Sequence, residues 1–113
     1  MKRGEIWLIN LNPSVGAEIK KTRPAVIVSA DQLGKLPLSV IVPITEWKEH
    51  YSIAPWMVKL NTTAQNGLSK TSSADCFQVR SVSQTRFIKK IGNLRAQQME
   101  EISFGLSSVL QIT

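Results

Sequence analysis

Apolar residues along this chain fall in short blocks separated by polar and turn-forming residues. GEIWLIN (4–10) reads as a first strand, and LNPSVGAEIKKTR (11–23) as a loop carrying Asn-Pro and Gly turn signals. PAVIVSA (24–30) is nearly all apolar, the pattern of a strand buried on both faces. DQLGK (31–35) turns the chain into LPLSVIVPIT (36–45), a strand whose Pro43 marks a bulge or an edge position. A polar, aromatic-bearing loop (46–55) leads to a short strand at WMVKL (56–60). The next segment contains Asn66-Gly67, a strong hairpin signal. Alternation from Ala74 to Val82 predicts a strand with Asp75 and Phe77 on one face and Cys76, Gln78 and Arg80 on the other. SQTRF (83–87) reads as a turn or a single helical turn, and IKKIGNL (88–94) as a last short strand.

The period then changes. In RAQQMEEISFGLSSVLQI (95–112), Met99, Ile102, Leu106, Val109 and Leu110 recur at helical spacing and form one apolar stripe. Gly105 weakens that helix by about 1 kcal/mol relative to Ala. Five or six short strands and one terminal helix predict a small, strongly bent antiparallel sheet or barrel. No repeat, linker or low-complexity tract divides it, so residues 1–113 are expected to form one domain.

Composition narrows the partners. Lys and Arg total 14 against 8 Asp and Glu, a net charge of +6, which favours anionic partners, nucleic acid before membrane surfaces. The one cysteine, Cys76, excludes an internal disulfide and fits a reducing compartment, so a cytoplasmic location is expected. It lies among alternating apolar residues and reads as buried filler. With one His (His50) and one Cys, no zinc ligand set is expected, and no other metal or cofactor is called for. The basic N-terminus leads into too short an apolar run for a signal peptide or a membrane span.

The densest local charge stands beside the most apolar strand: Glu18, Lys20, Lys21 and Arg23 end at Pro24. A residue before proline is pushed toward extended geometry, so Arg23 has less freedom than an ordinary loop arginine. Its guanidinium suits a phosphate, and equally a surface carboxylate. Glu18 among cations would stay ionised and could accept a proton from a hydroxyl, or simply form a loop salt bridge. Thr45 ends its strand, where a hydroxyl can donate to a phosphate oxygen or to its own turn. Trp47, His50, Tyr51 and Trp56 near Lys48 mix rings with cations, as single-stranded nucleic acid requires. Gln78 and Arg80 could present an amide and a guanidinium together, although a polar outer sheet face would look the same.

Three blocks carry a resemblance: RGEIWLINLNPSVGAEIKKTRPAVIVS, VIVPIT and FQVRSVSQTRFIKKIGNL. In order and spacing they resemble the MazF/PemK family of toxin endoribonucleases, from Arg3 to about Leu110. The resemblance implies a mainly β, SH3-like antiparallel barrel of the CcdB/PemK type with helices, including a C-terminal one, acting as a homodimer. It implies metal-independent cleavage of single-stranded RNA at short motifs, growth inhibition, and neutralisation by a MazE-like antitoxin laid across the RNA groove. Arg23 and Thr45 correspond to the family's catalytic pair, Glu18 to the Glu of the first loop, and Gln78 and Arg80 to its Gln-x-Arg motif. Many relatives carry an acid directly before that Gln; here the position is Phe77, with Asp75 two places earlier. Lys20, Lys21, Trp47, His50, Asp75, Gln78 and Arg80 are the expected RNA contacts. Two other readings share the architecture: a toxin that poisons gyrase, and a barrel that binds RNA without cutting it.

Overall fold

In the computed structural model, which describes residues 1–33 and 36–112, seven strands precede one helix. The strands are β1 (Glu5–Asn10), β2 (Thr22–Ile27), β3 (Leu38–Glu46), β4 (Met57–Leu60), β5 (Ser72–Asp75), β6 (Arg80–Ser83) and β7 (Phe87–Asn93). Helix α1 spans Ala96–Leu110. Gly34 and Lys35 of the expected turn, and Thr113, lie outside the described residues. The strands pair antiparallel in the order β4-β5-β3-β2-β1-β7, and β6 lies along β3. This is the expected mainly β architecture with a C-terminal helix.

Both faces of the central strands are buried, as the all-apolar run predicts. Alternation sends Val26, Val42 and Ile44 to one side, where they meet Ile6, Leu60, Met99 and Ile102. Ala25, Ile27 and Ile41 point to the other side and pack with Ile9, Leu11 and Val82. Helix α1 covers the first cluster, burying Met99 and Ile102 and partly burying Leu106 and Val109. Leu110, expected on that stripe, is instead 54% exposed, because the last turn runs past the edge of the cluster. Gly105 turns out to be a packing requirement: a Cβ there would stand 2.8 Å from the Cys76 sulfur.

The strand expected from Ala74 to Val82 is broken. β5 and β6 both run along the edge of β3 opposite β2, but Cys76–Gln78 forms a 3-10 turn between them. Two causes coincide there. Pro43 of β3, opposite the break, has no N–H for a ladder. The Asp75 carboxylate accepts the Phe77 N–H at 3.1 Å, capping the turn in place of strand pairing. The period-two faces therefore fail: Asp75 and Cys76 are both buried, while Phe77 is 63% exposed.

The hydrogen-bonded path stays open between β4 and β7, and residues 61–71 fill the gap. The Asn66-Gly67 signal thus belongs to a long β4–β5 connection, not to a two-residue turn. Asn66 is 2% exposed; its side-chain oxygen accepts the Thr63 and Leu68 N–H groups, and its amide donates to Asn61 O. Asn93 N–H donates to Gln65 O at 2.8 Å. A Cβ at Gly67 would lie 2.0 Å from Ile91 O, so only glycine allows the two backbones to meet.

β1 and β7 are also joined through Glu5, which lies 3.3 Å from the Lys90 ammonium and accepts the Trp7 indole N–H at 3.0 Å. Burial alone would raise this carboxyl, but the Trp7, Lys2 and Lys90 donors outweigh it and hold the group at about 2, against an ordinary 4.5. The native state then binds fewer protons than the unfolded chain between those values. Its contribution is present above pH 4.5 and lost as pH falls through about 2. Glu5→Gln is expected to cost about 2 kcal/mol at neutral pH, after allowing for solvent screening at a rim position. In urea titrations across pH, the gap from the wild type should close toward the acid end; a pH-independent gap contradicts this linkage.

Candidate functional site

Arg23 lies inside β2, paired with Ile9 of β1, rather than in the loop before it. β2 and β3 pair with Ala25 opposite Pro43, so extending that register two residues sets Arg23 across from Thr45. By period two both project from the sheet face opposite α1. Both residues border one cleft of about 320 Å³, together with Ser69, Lys70 and Lys89. Arg23 is exposed, and its Nε donates to Lys20 O at a long 3.4 Å. Among the described residues no carboxylate pairs with it, so the surface-ion-pair reading of Arg23 is not what the fold builds. The carboxylate at this cleft is Glu46, which sits 3.4 Å from Lys70.

A second cleft, about 500 Å³, adjoins along the same stretch of β3 and the same loop. Glu18, Ile19, Pro43, Phe77, Gln78 and Arg80 line it. Glu18 borders this second cleft with Gln78 and Arg80, and its carboxylate accepts the Val15 N–H at 2.6 Å within its own loop.

Gln78 does something the alternation could not show. Its oxygen accepts the Ile19 N–H at 2.6 Å, and its amide donates to Ala17 O and to the Asp75 carboxylate, both at 3.3 Å. Asp75 is only 6% exposed and spends both oxygens on Phe77 N–H and Gln78, so it reaches a ligand only through Gln78. Burial pushes the Asp75 carboxyl up, and those donors offset part of the rise. Arg80 donates to Leu11 O at 3.4 Å and Arg86 to Asn10 O at 3.1 Å and to Asn12 O. The Gln-x-Arg segment and Arg86 thus clamp both ends of the first loop, which delivers Glu18, Lys20, Lys21 and Arg23.

Lys20 and Lys21 are exposed on that loop. Lys21 takes φ 70°, and its N–H donates to the Asn12 side chain at 3.1 Å. Trp47 and His50 line neither cleft. Trp47 donates to Glu49, stacks edge-on to Tyr51 and has the Lys59 ammonium 5.1 Å from its ring centre. His50 packs on Tyr51 beside a separate shallow pocket bordered by Ile53 and Trp56. Cys76 is fully buried, its thiol pushed up to about 12 by burial and by Asp75, as suits filler and not a nucleophile. Among the described residues no three His, Cys, Asp or Glu side chains gather as a metal-ligand set.

Lys89, Lys70 and Ser69 escaped the sequence reading. Adjacent strand residues point to opposite faces, so Lys89-Lys90 could have signalled one free cation; Lys90 meets Glu5 and Lys89 enters the cleft. Ser69 and Lys70 arrive only because Gly67 docks their loop on β7, a contact with no local signal.

A model of the PemK-like, MazF-like toxins of type II toxin–antitoxin systems matches residues 2–110. The chain belongs to this family. Over 116 residues it is 31% identical to Endoribonuclease MazF9 of Mycobacterium tuberculosis, covering 99% of this toxin and 98% of that relative. MazF (Form-I) from Deinococcus radiodurans superposes with a TM-score of 0.83 at 23% identity, over 99% of this toxin and 97% of that chain. A mycobacterial endoribonuclease in complex with its cognate antitoxin superposes at 0.78 and 16% identity, over 100% and 97% of the two chains. At those identities the two superpositions speak for the fold of this toxin.

Proposed function

We propose that this toxin is a metal-independent, sequence-specific endoribonuclease that cuts single-stranded RNA, mRNA included, and so stops translation and growth. The observation that carries the reading is the shared cleft that Arg23, Thr45 and Lys89 border. RNA brings its own nucleophile: the 2'-oxygen attacks the adjacent phosphorus, the P–O5' bond breaks, and a 2',3'-cyclic phosphate and a 5'-hydroxyl result. Arg23 neutralises charge developing on the phosphate oxygens, and Thr45 adds a neutral hydrogen bond. An arginine is a poor acid, so its role is electrostatic. Two carboxylates border the adjoining clefts as acceptors of the 2'-hydroxyl proton, Glu18 and Glu46. The one that serves as base is the one whose Gln variant loses the acid limb of the pH–rate profile.

Incubation with a long defined RNA in EDTA, followed by mapping of 5'-hydroxyl ends, tests the reading. Cyclic-phosphate products at recurrent motifs are expected, with DNA left uncut for want of the 2'-hydroxyl. Intact RNA overturns the assignment. The proposed partners are an antitoxin protein that occupies the RNA groove and a second copy of this toxin, as a homodimer in the cytoplasm; membership of the family supports this reading.

Phosphate contacts make binding salt-dependent. With three or four cations engaged, the log–log slope of affinity against salt should be about −2 to −3, roughly a fifteen- to sixtyfold loss between 50 and 200 mM. Fluorescence anisotropy with an uncleavable 2'-O-methyl RNA measures it, and a flat response contradicts the cationic cleft.

A further inference from the structure

The 500 Å³ cleft between the first loop and the Cys76–Gln78 turn carries Glu18, one of the two candidate bases, at one side, and the rest of its lining has no part in the proposed chemistry. Its size falls within the range of small-ligand sites. Phe77 stands at its border 63% exposed, an orientation that leaves a large apolar ring in water. The ring is not loose. Trp56 braces it edge-to-face with centroids 5.7 Å apart, and Asp75 holds its N–H at 3.1 Å. Gln78 spans the gap to Ala17 and Ile19, so the distance between loop and turn is set before any ligand arrives. Pro43 contributes to this cleft and Thr45 to the neighbouring one, two residues along β3, or roughly 7 Å.

We infer that this cleft is a preformed nucleobase pocket, in which an unpaired base next to the scissile phosphate stacks on Phe77 while Glu18 and Arg80 face its edge. The inference rests on the ribonuclease reading and deepens it. A strand whose phosphate is drawn to Arg23 and Lys89 must put its neighbouring base somewhere within a few ångströms. A rigid ring at that distance offers a π-face that any base can use. Selectivity then falls to the edge groups. Gln78 is already satisfied within the chain, whereas the carboxylate oxygen of Glu18 not used by Val15 and the remaining Arg80 N–H groups are left to read donors and acceptors.

The test uses a 2'-O-methyl oligoribonucleotide of the mapped cleavage sequence, and a series in which single positions are abasic. Phe77→Ala is expected to bind the intact strand ten- to a hundredfold more weakly, as loss of one base–aromatic stack implies, and Phe77→Tyr to bind it nearly normally. The loss should vanish at one abasic position adjoining the cut and persist at the others. Equal affinity for wild type and Phe77→Ala, or a loss spread evenly over all abasic positions, overturns the pocket. So does a Phe77-dependent affinity for an acidic peptide with RNA binding unchanged. In each of these cases, Arg23-dependent cleavage of unmodified RNA by the same preparations leaves the ribonuclease reading standing. Absence of any cleavage by the wild type removes that reading, and the pocket's premise with it. Phe77 is on the surface, and its variants should melt with the wild type, so a binding change reports on the pocket itself.

Discussion

Arg23→Ala is expected to lower the cleavage rate by about a hundred- to a thousandfold while leaving the melting temperature unchanged, the scale seen when one preorganised donor is removed from an active site. The split follows from where the side chain sits. Its backbone is paired with β1, but its guanidinium is exposed and holds only a 3.4 Å contact to Lys20 O. Little folding energy is at stake, whereas charge on the phosphorane develops against a guanidinium whose backbone Pro24 holds extended. The loss should appear in kcat more than in KM, since Lys89 and the loop lysines still draw RNA in the ground state. Arg23→Lys keeps the charge and loses the planar fork, so an intermediate rate is expected. Single-turnover cleavage of a saturating RNA measures all three proteins. A folded Arg23→Ala that cuts at the wild-type rate ends the assignment.

Gly67→Ala should show the opposite pattern, a stability failure first. At φ 68° the residue is in the left-handed region, and the added methyl would lie 2.0 Å from Ile91 O, which is backbone and cannot turn aside. Left-handed strain of about 1 kcal/mol and a forced shift of one to three more give roughly 3 kcal/mol. For a domain of this size the melting temperature falls by about 10–15 °C. Activity should fall too, because Leu68, Ser69 and Lys70 follow the glycine into the Arg23 cleft and Ile91 borders it. Calorimetry decides the matter: a melting temperature within about 2 °C of the wild type is incompatible with this packing.

The contrast between these two residues shows what was legible. The strand that carries Thr45 followed from local pattern, whereas the strand that carries Arg23 was expected to begin at Pro24 and begins at Thr22. Pro43 correctly announced an interruption. Its form was hidden, since the turn at Cys76–Gln78 needs both the missing donor and the Asp75 cap, and those lie on different strands. The hidden turn is also why the expected period-two faces for Asp75, Gln78 and Arg80 do not form. The hydrogen bonds of Gln78 and Arg80 run to residues some sixty positions away, on the first loop, and no window of neighbours contains them. Leu110 erred for a simpler reason: helical spacing finds a stripe but not where the core beneath it ends.

The first strand pairs with the last, Ile6 against Gly92, and Lys89 enters the cleft from that last strand. While the polypeptide is still emerging from the ribosome, β1 therefore waits with one edge unpaired until almost the whole chain has been translated. The cationic wall that would grip a message does not exist until then. On the proposed ribonuclease reading, the cleft that would take RNA is complete only once β7 has been made, by nothing more than the order of the strands.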